Sequence, residues 1–163
     1  MKLLFVLLFL FQIKHFLADY PLQGEYMLGK FKPNWSFLGP LLAHVGVHAT
    51  FTFTIAMFLV PWYVAVLLGL GDAAIHFTMD RIKAGPKYMG RWKPVTAKEW
   101  MESKAVTLPC EVPGLTMGPA ADEYWFHKRR LRGNVLFWWA LGIDQMVHHL
   151  THYGIIYFII LFH

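Results

Sequence analysis

Cysteine is almost missing: Cys110 is the only one in 163 residues. One thiol can form no internal disulfide and can build no thiolate metal motif. Charge is scarce as well. Asp, Glu, Lys and Arg make up 15% of the chain, where a soluble domain carries about a quarter. There is no internal repeat and no low-complexity tract. The charge that remains leans basic, at +5. That balance could suit nucleic acid, but the basic residues sit at segment ends and in one long loop, as membrane topology requires. A nucleic-acid partner is therefore not expected.

What fills the chain instead is apolar: 56% hydrophobic and 17% aromatic. The length is that of one domain. The pattern predicts an all-α fold, an integral membrane four-helix bundle with a long cytoplasmic loop between spans three and four. The spans fall at about 1–20, 37–60, 62–81 and 135–162, each long enough to cross about 30 Å of hydrocarbon. The first, with Lys2 before "LLFVLLFLFQI", has the outline of a signal peptide. No A-x-A-like cleavage site follows, so it reads as a retained helix ended at Pro21. Pro40 is tolerated in the first turn of the second span. Pro61 and Trp62 mark a tight turn, and Gly69 and Gly71 in the third span permit close helix approach. The loop 82–134 holds most of the charges. Thr96 and Glu99 there resemble a capping box for a short helix. The stretch from Ala120 to Arg132 mixes aromatics with basic residues, an interfacial amphipathic pattern.

Lys30, Lys32 and every basic residue from Arg81 to Arg132 lie in the two loops on one side, thirteen of the fifteen. The other side has only Lys2. The positive-inside rule puts both loops in the cytoplasm and both termini outside it.

Against this apolar background one run is anomalous. Asp72, His76 and Asp80 are spaced by four and share one slowly drifting helix face. The spacing recurs in the other spans, as His15 with Asp19, His44 with His48, and Asp144 with His148. Four of the five aspartates fall within spans, each with a histidine four residues away, and none of the glutamates does. An embedded ionisable group costs several kcal/mol unless it is paired, hydrated or bound. The depths agree well enough for all four helices to face one cavity opening toward the cytoplasm.

Imidazole and carboxylate are ligands for a divalent transition metal: zinc, with manganese or iron as alternatives. Paired ligands on each helix of a bundle are how carboxylate-bridged two-metal sites are assembled. The metal ligands predicted are His15, Asp19, His44, His48, Asp72, His76, Asp80, Asp144 and His148. Asp72 or Asp80 would bridge the metals, and Lys83 would orient a phosphate. That leads to metal-assisted hydrolysis of a membrane-partitioned phosphate or acyl ester. Two other readings stand beside it. One is a hydrogen-bonded network that glues helices together, each bond worth about 1 kcal/mol, in a non-enzymatic module acting on another membrane protein through its loop. The other is a proton or ion pathway. Gln145 is a candidate to orient a ligand. Lys14 is expected to snorkel to the interface, and Arg81 to anchor there. His149 and His152 carry weaker claims, and His152 sits one turn beyond His148. Cys110, His127 and His163 read as bland, and Trp138 and Trp139 as lipid-facing or packed.

The runs "KHFLADYPLQGEYM", "HVGVH", "GDAAIHFTMDRIK" and "FWWALGIDQMVHHLTHY" resemble the domain-of-unknown-function 3307 family of bacterial and phage integral membrane proteins. The resemblance implies a HxxxD in the first span, HxxxH in the second, DxxxHxxxD followed by a lysine in the third, and DQxxH in the fourth. Those positions are His15 and Asp19; His44 and His48; Asp72, His76, Asp80 and Lys83; and Asp144, Gln145 and His148. It also implies a multi-pass protein of the bacterial inner membrane, and names no activity. The loop from Gly85 to Leu131 is longer than the resemblance leads one to expect, which leaves room for a partner-binding role. A looser likeness to inner-membrane metal-dependent hydrolases is analogy.

Overall fold

The computed structural model describes residues 1–32, 34–84 and 135–163, and every regular element among them is helical. The expected short helix at Thr96 and the amphipathic stretch 120–132 lie outside the described residues. So does most of the loop 82–134.

Helix α1 runs Lys2–Asp19. It is rich in leucine, which loses little on entering a helix, and holds no glycine or proline to break it. Pro21 has no N–H to carry the ladder on. The N–H of Leu22 instead reaches back to the carbonyl of Leu17 at 3.0 Å, satisfying one of the carbonyls orphaned at the helix end. A short helix α2, Glu25–Leu28, and two 3₁₀ turns, Gly29–Phe31 and Asn34–Phe37, lead into α3, Leu38–Met57. Gly29 is required where the connection crosses α3, because a Cβ there would sit 2.8 Å from Pro40 Cγ. That close crossing takes the next residue, Lys30, into the interior, where it is 5% exposed.

The turn between α3 and α4 is as tight as Pro61 predicts. The carbonyl of Ala56 accepts from the N–H groups of Leu59 and Val60, at 2.8 and 2.9 Å. Pro61 supplies the first carbonyl of α4, Trp62–Ala84, accepting from Val64 and Ala65. This helix runs past the expected end at Arg81 and carries Lys83 on its last turn. Helix α5 is Val135–Phe162. Of the two glycines expected at a helix contact, Gly69 serves: its Cβ would lie 3.2 Å from the Ala49 carbonyl oxygen and 3.3 Å from Phe53 Cβ. Gly71 does not, because it faces open space. They are two residues apart, so they point to different sides of the helix.

The four long helices close a ring of contacts: α1 with α3, α3 with α4, α4 with α5, and α5 with α1. One end of the interior is apolar, with Leu7, Phe11, Val60, Ala65, Ile156 and Ile159 in contact. His163 Nδ1 lies 3.0 Å from the carbonyl oxygen of Leu59, so the end of α5 meets the α3–α4 turn there. Phe37, Leu41 and Val45 form a smaller apolar cluster elsewhere. The rest of the interior is polar. Its buried members include Lys14, His48, Thr52, Asp72, His76 and His152, none more than 1% exposed.

The outside has the opposite character. Phe5 and Phe9 on α1, Leu67 and Leu70 on α4, and Trp139, Leu150 and Tyr157 on α5 are all exposed. Trp35–Met57 and Trp62–Lys83 are long and apolar enough to cross a membrane among the described residues. Helix α1 carries Lys2, Lys14 and Asp19, and the middle of α5 carries Asp144 with His148, His149 and His152. Those residues dilute the apolar character of both helices.

Candidate metal centre

Each helix contributes polar groups at its own helical repeat. On α1 the buried residues are Leu7, Phe11, Lys14, His15 and Ala18, an alternation of three and four that puts Lys14 and His15 on the inner face. On α3 the inner face carries His44, His48 and Thr52, again four apart. Asp72, His76 and Asp80 line α4, and Asp144, His148 and His152 line α5, all buried.

The aspartates are not equivalent. Asp72 Oδ2 accepts from Lys14 Nζ and from Thr52 Oγ1, each at 2.6 Å. Asp80 Oδ2 accepts from Lys30 Nζ at 2.9 Å. Asp144 Oδ2 accepts from Lys83 Nζ at 2.7 Å and from Gln145 Nε2 at 3.3 Å. Three of the four embedded acids thus have a lysine. Asp19 has none within ion-pair distance among the described residues. It faces three histidines instead: His48 Nε2 at 3.0 Å, His15 Nε2 at 3.2 Å and His44 Nε2 at 3.4 Å. His44 Nε2 also lies 3.2 Å from Asp80 Oδ2.

The imidazoles form a continuous group. The His48 and His76 ring centres are 4.0 Å apart, and His76 stacks on His148 at 4.1 Å with 7° between the planes. His15 Nε2 is 2.7 Å from Gln145 Oε1, and His76 Nδ1 is 3.1 Å from the carbonyl oxygen of Asp72. A partner on one ring nitrogen fixes the tautomer and leaves a lone pair on the other, as in metal-bound histidine. Nδ1 of His15, His44, His48 and His152, Nε2 of His76, and both nitrogens of His148 are buried without a hydrogen-bond partner. An unsatisfied buried polar atom costs about 1–3 kcal/mol, so this many in one place need a common cause. Lone pairs on such nitrogens are available to a cation.

Among the described residues, sets of donors close enough to share an ion number four: His15, His48 and His76; His15, Asp19 and His148; Asp19, His44 and His48; and Asp72, His76 and His152. In each set the ligand atoms lie within 4.8 Å of one another. Three of the four sets include His48 or Asp19, so the donors concentrate around that pair. A cavity of about 150 Å³ reaches this group, lined among others by Asp19, Lys30, Asp80, Lys83, Asp144 and His148.

The sequence pattern matches a family over residues 6–105, described as a protein of unknown function, DUF3307. The chain belongs to the DUF3307 family. Its matched stretch contains the His/Asp pairs of α1, α3 and α4, and it ends before α5. The DQxxH at Asp144, Gln145 and His148 therefore lies outside it. Neither a curated protein nor a solved structure matches the chain.

All nine predicted ligands of this DUF3307 chain thus come from four helices into one connected polar interior. Asp80 and Asp144 meet lysines there and appear in none of the four donor sets. Lys83, expected to orient a phosphate, pairs with Asp144. Lys14 does not snorkel: it is 1% exposed, because its counter-charge Asp72 is inside. Lys14, Lys30 and Thr52 were not among the predicted site residues, and His152 was given only a weak claim. Two of these were legible. His152 follows His148 by four, and Lys14 stands in the inner repeat of α1 between Phe11 and Ala18. Lys30 left no signal, because its inward path depends on the contact between Gly29 and Pro40.

Proposed function

We propose that this DUF3307 protein is a multi-pass membrane protein, its four long helices spanning the bilayer of a bacterial inner membrane. Inside them it holds a divalent transition ion, zinc first, with manganese or iron as alternatives. The observation that carries the metal is Asp19: among the described residues it is the one embedded aspartate with no lysine in ion-pair distance, and it has three histidines instead. His15, Asp19, His44, His48 and His148 supply the donor set. What supports the membrane is the inverted distribution, with acids and lysines inside and Phe5, Leu67, Trp139 and Leu150 outside.

The activity we favour is hydrolysis of a membrane-partitioned phosphate or acyl ester. When bound, the ion would act as a Lewis acid and bring a water close to ionisation at neutral pH. Gln145 holds His15 in one tautomer, and the Asp72 carbonyl does the same for His76. Lys30 and Lys83 line the cavity leading to the histidines, where an anionic headgroup would draw on their ammonium groups. Asp80 and Asp144 hold those lysines in place. Elemental analysis of protein extracted in mild detergent tests the site. We expect a stoichiometric transition ion, and its absence overturns the reading.

A second reading has its own support. The line Lys30, Asp80, His44, Asp19, His48 is linked by contacts of 2.9–3.4 Å, which suits a proton pathway. It requires no metal, so the same analysis separates the two.

The thirteen-to-one division of basic residues between the two sides predicts the topology. A reporter fused after His163 should be non-cytoplasmic, and one inserted near Cys110 cytoplasmic. Labelling of Cys110 by an impermeant thiol reagent outside intact cells would reverse the assignment.

A further inference from the structure

The set formed by Asp72, His76 and His152 differs from the other three in already holding a cation. Lys14 Nζ sits 2.6 Å from Asp72 Oδ2 and 3.0 Å from His152 Nε2. Both of those residues are donors of the set. The ammonium also lies 5.8 Å from the centre of the Phe11 ring. Thr52 Oγ1 occupies the same carboxylate oxygen at 2.6 Å. Lys14 and Asp72 are each at most 1% exposed, so neither can turn to solvent.

Resting on the metal reading above, we infer that Lys14 is a built-in cation that fills the second metal position. The centre is therefore mononuclear in the native protein, with a latent second site at Asp72, His76 and His152. A single ammonium of one positive charge meets one carboxylate and one imidazole lone pair, and a divalent ion would use the same two donors plus His76. The two cations cannot share them. Electrostatics agrees with the geometry. Lys14, Lys30 and Lys83 neutralise Asp72, Asp80 and Asp144, leaving Asp19 as the carboxylate whose charge a metal would meet. The two-metal arrangement suggested by paired ligands on every helix is thus reduced to one by a side chain on α1. Lys14 acts as a positioning and specificity residue: it sets how many ions bind, and so keeps the chemistry at the Asp19 end.

Metal stoichiometry in the full chain tests this without any activity assay. After equilibration with zinc and gel filtration, wild type should retain about one ion per chain, the count of a single closed site. Lys14→Met should retain about two, as a paired site on facing helices does. The double variant Lys14→Met, Asp72→Asn removes both charges together and leaves no buried ion unpaired, so its folding does not depend on a metal taking the place of the lysine. It should return to about one ion per chain. Two ions in wild type overturn the inference. So does a folded Lys14→Met that keeps one, or a double variant that loses its ion, since Asp72 would then be a native ligand. No ion in wild type is a different result: it removes the metal reading itself.

Discussion

Replacing Asp19 by Asn is expected to abolish the response of this protein to chelators. The amide keeps the size of the carboxylate but removes the one embedded negative charge that has no lysine within ion-pair distance among the described residues. An ion that binds only the folded state contributes stability according to its concentration over its dissociation constant, about 4 kcal/mol at a thousandfold excess. On the proposed reading that contribution is lost with the ligand, because binding of a metal only by the folded chain couples its affinity to folding free energy. Wild type should therefore melt at a markedly lower temperature once chelated. Asp19→Asn should melt low under both conditions. A variant that still loses stability on chelation would mean that the ion sits elsewhere. Wild type indifferent to chelator would favour the proton pathway.

The second large effect belongs to Lys30 and Asp80, a pair at 2.9 Å with both side chains at most 6% exposed. Asp80→Asn leaves an ammonium buried without a counter-charge. Breaking a buried pair from one side typically costs about 3–5 kcal/mol, whereas replacing both partners can be nearly neutral. We expect Asp80→Asn and Lys30→Met each to lower unfolding stability by about 3 kcal/mol or more, and the double variant to recover most of the loss. Denaturation in detergent, run as a double-mutant cycle, measures it. Additive losses would show that the two groups do not depend on each other. The pair also changes how Asp80 is to be probed. With Lys30 beside it, loss of stability in Asp80→Asn is expected whether or not an ion binds, and Asp19 is the informative position.

The interior lysines carry a general point about cost. Each embedded charge left alone is penalised by several kcal/mol, so acids and bases are retained inside only in company. Lys14 with Asp72 and Lys83 with Asp144 bridge helices far apart in sequence. They tie α1 to α4 and α4 to α5, and they specify the azimuth of each helix as well as neutralising it.

Much of this was local and therefore legible in the chain alone. Long apolar runs with few helix breakers specify helices, and the period of 3.6 places residues four apart on one face. Hence the spacing alone puts the His/Asp pair of each of the four long helices on one side of its helix. The turn at Pro61 and the end of α1 at Pro21 follow from the missing proline N–H in the same way. What could not be read was anything that depends on the rotation and register of one helix against another. Sequence spacing cannot tell that Gly69 meets Ala49 while Gly71 meets nothing. Nor can it tell that Gly29 against Pro40 turns Lys30 inward. Above all, it treats four aspartates with histidine neighbours as equals. Packing pairs three of them with lysines from other segments and leaves Asp19 among imidazoles, because Coulomb partners are chosen by distance in space and not along the chain.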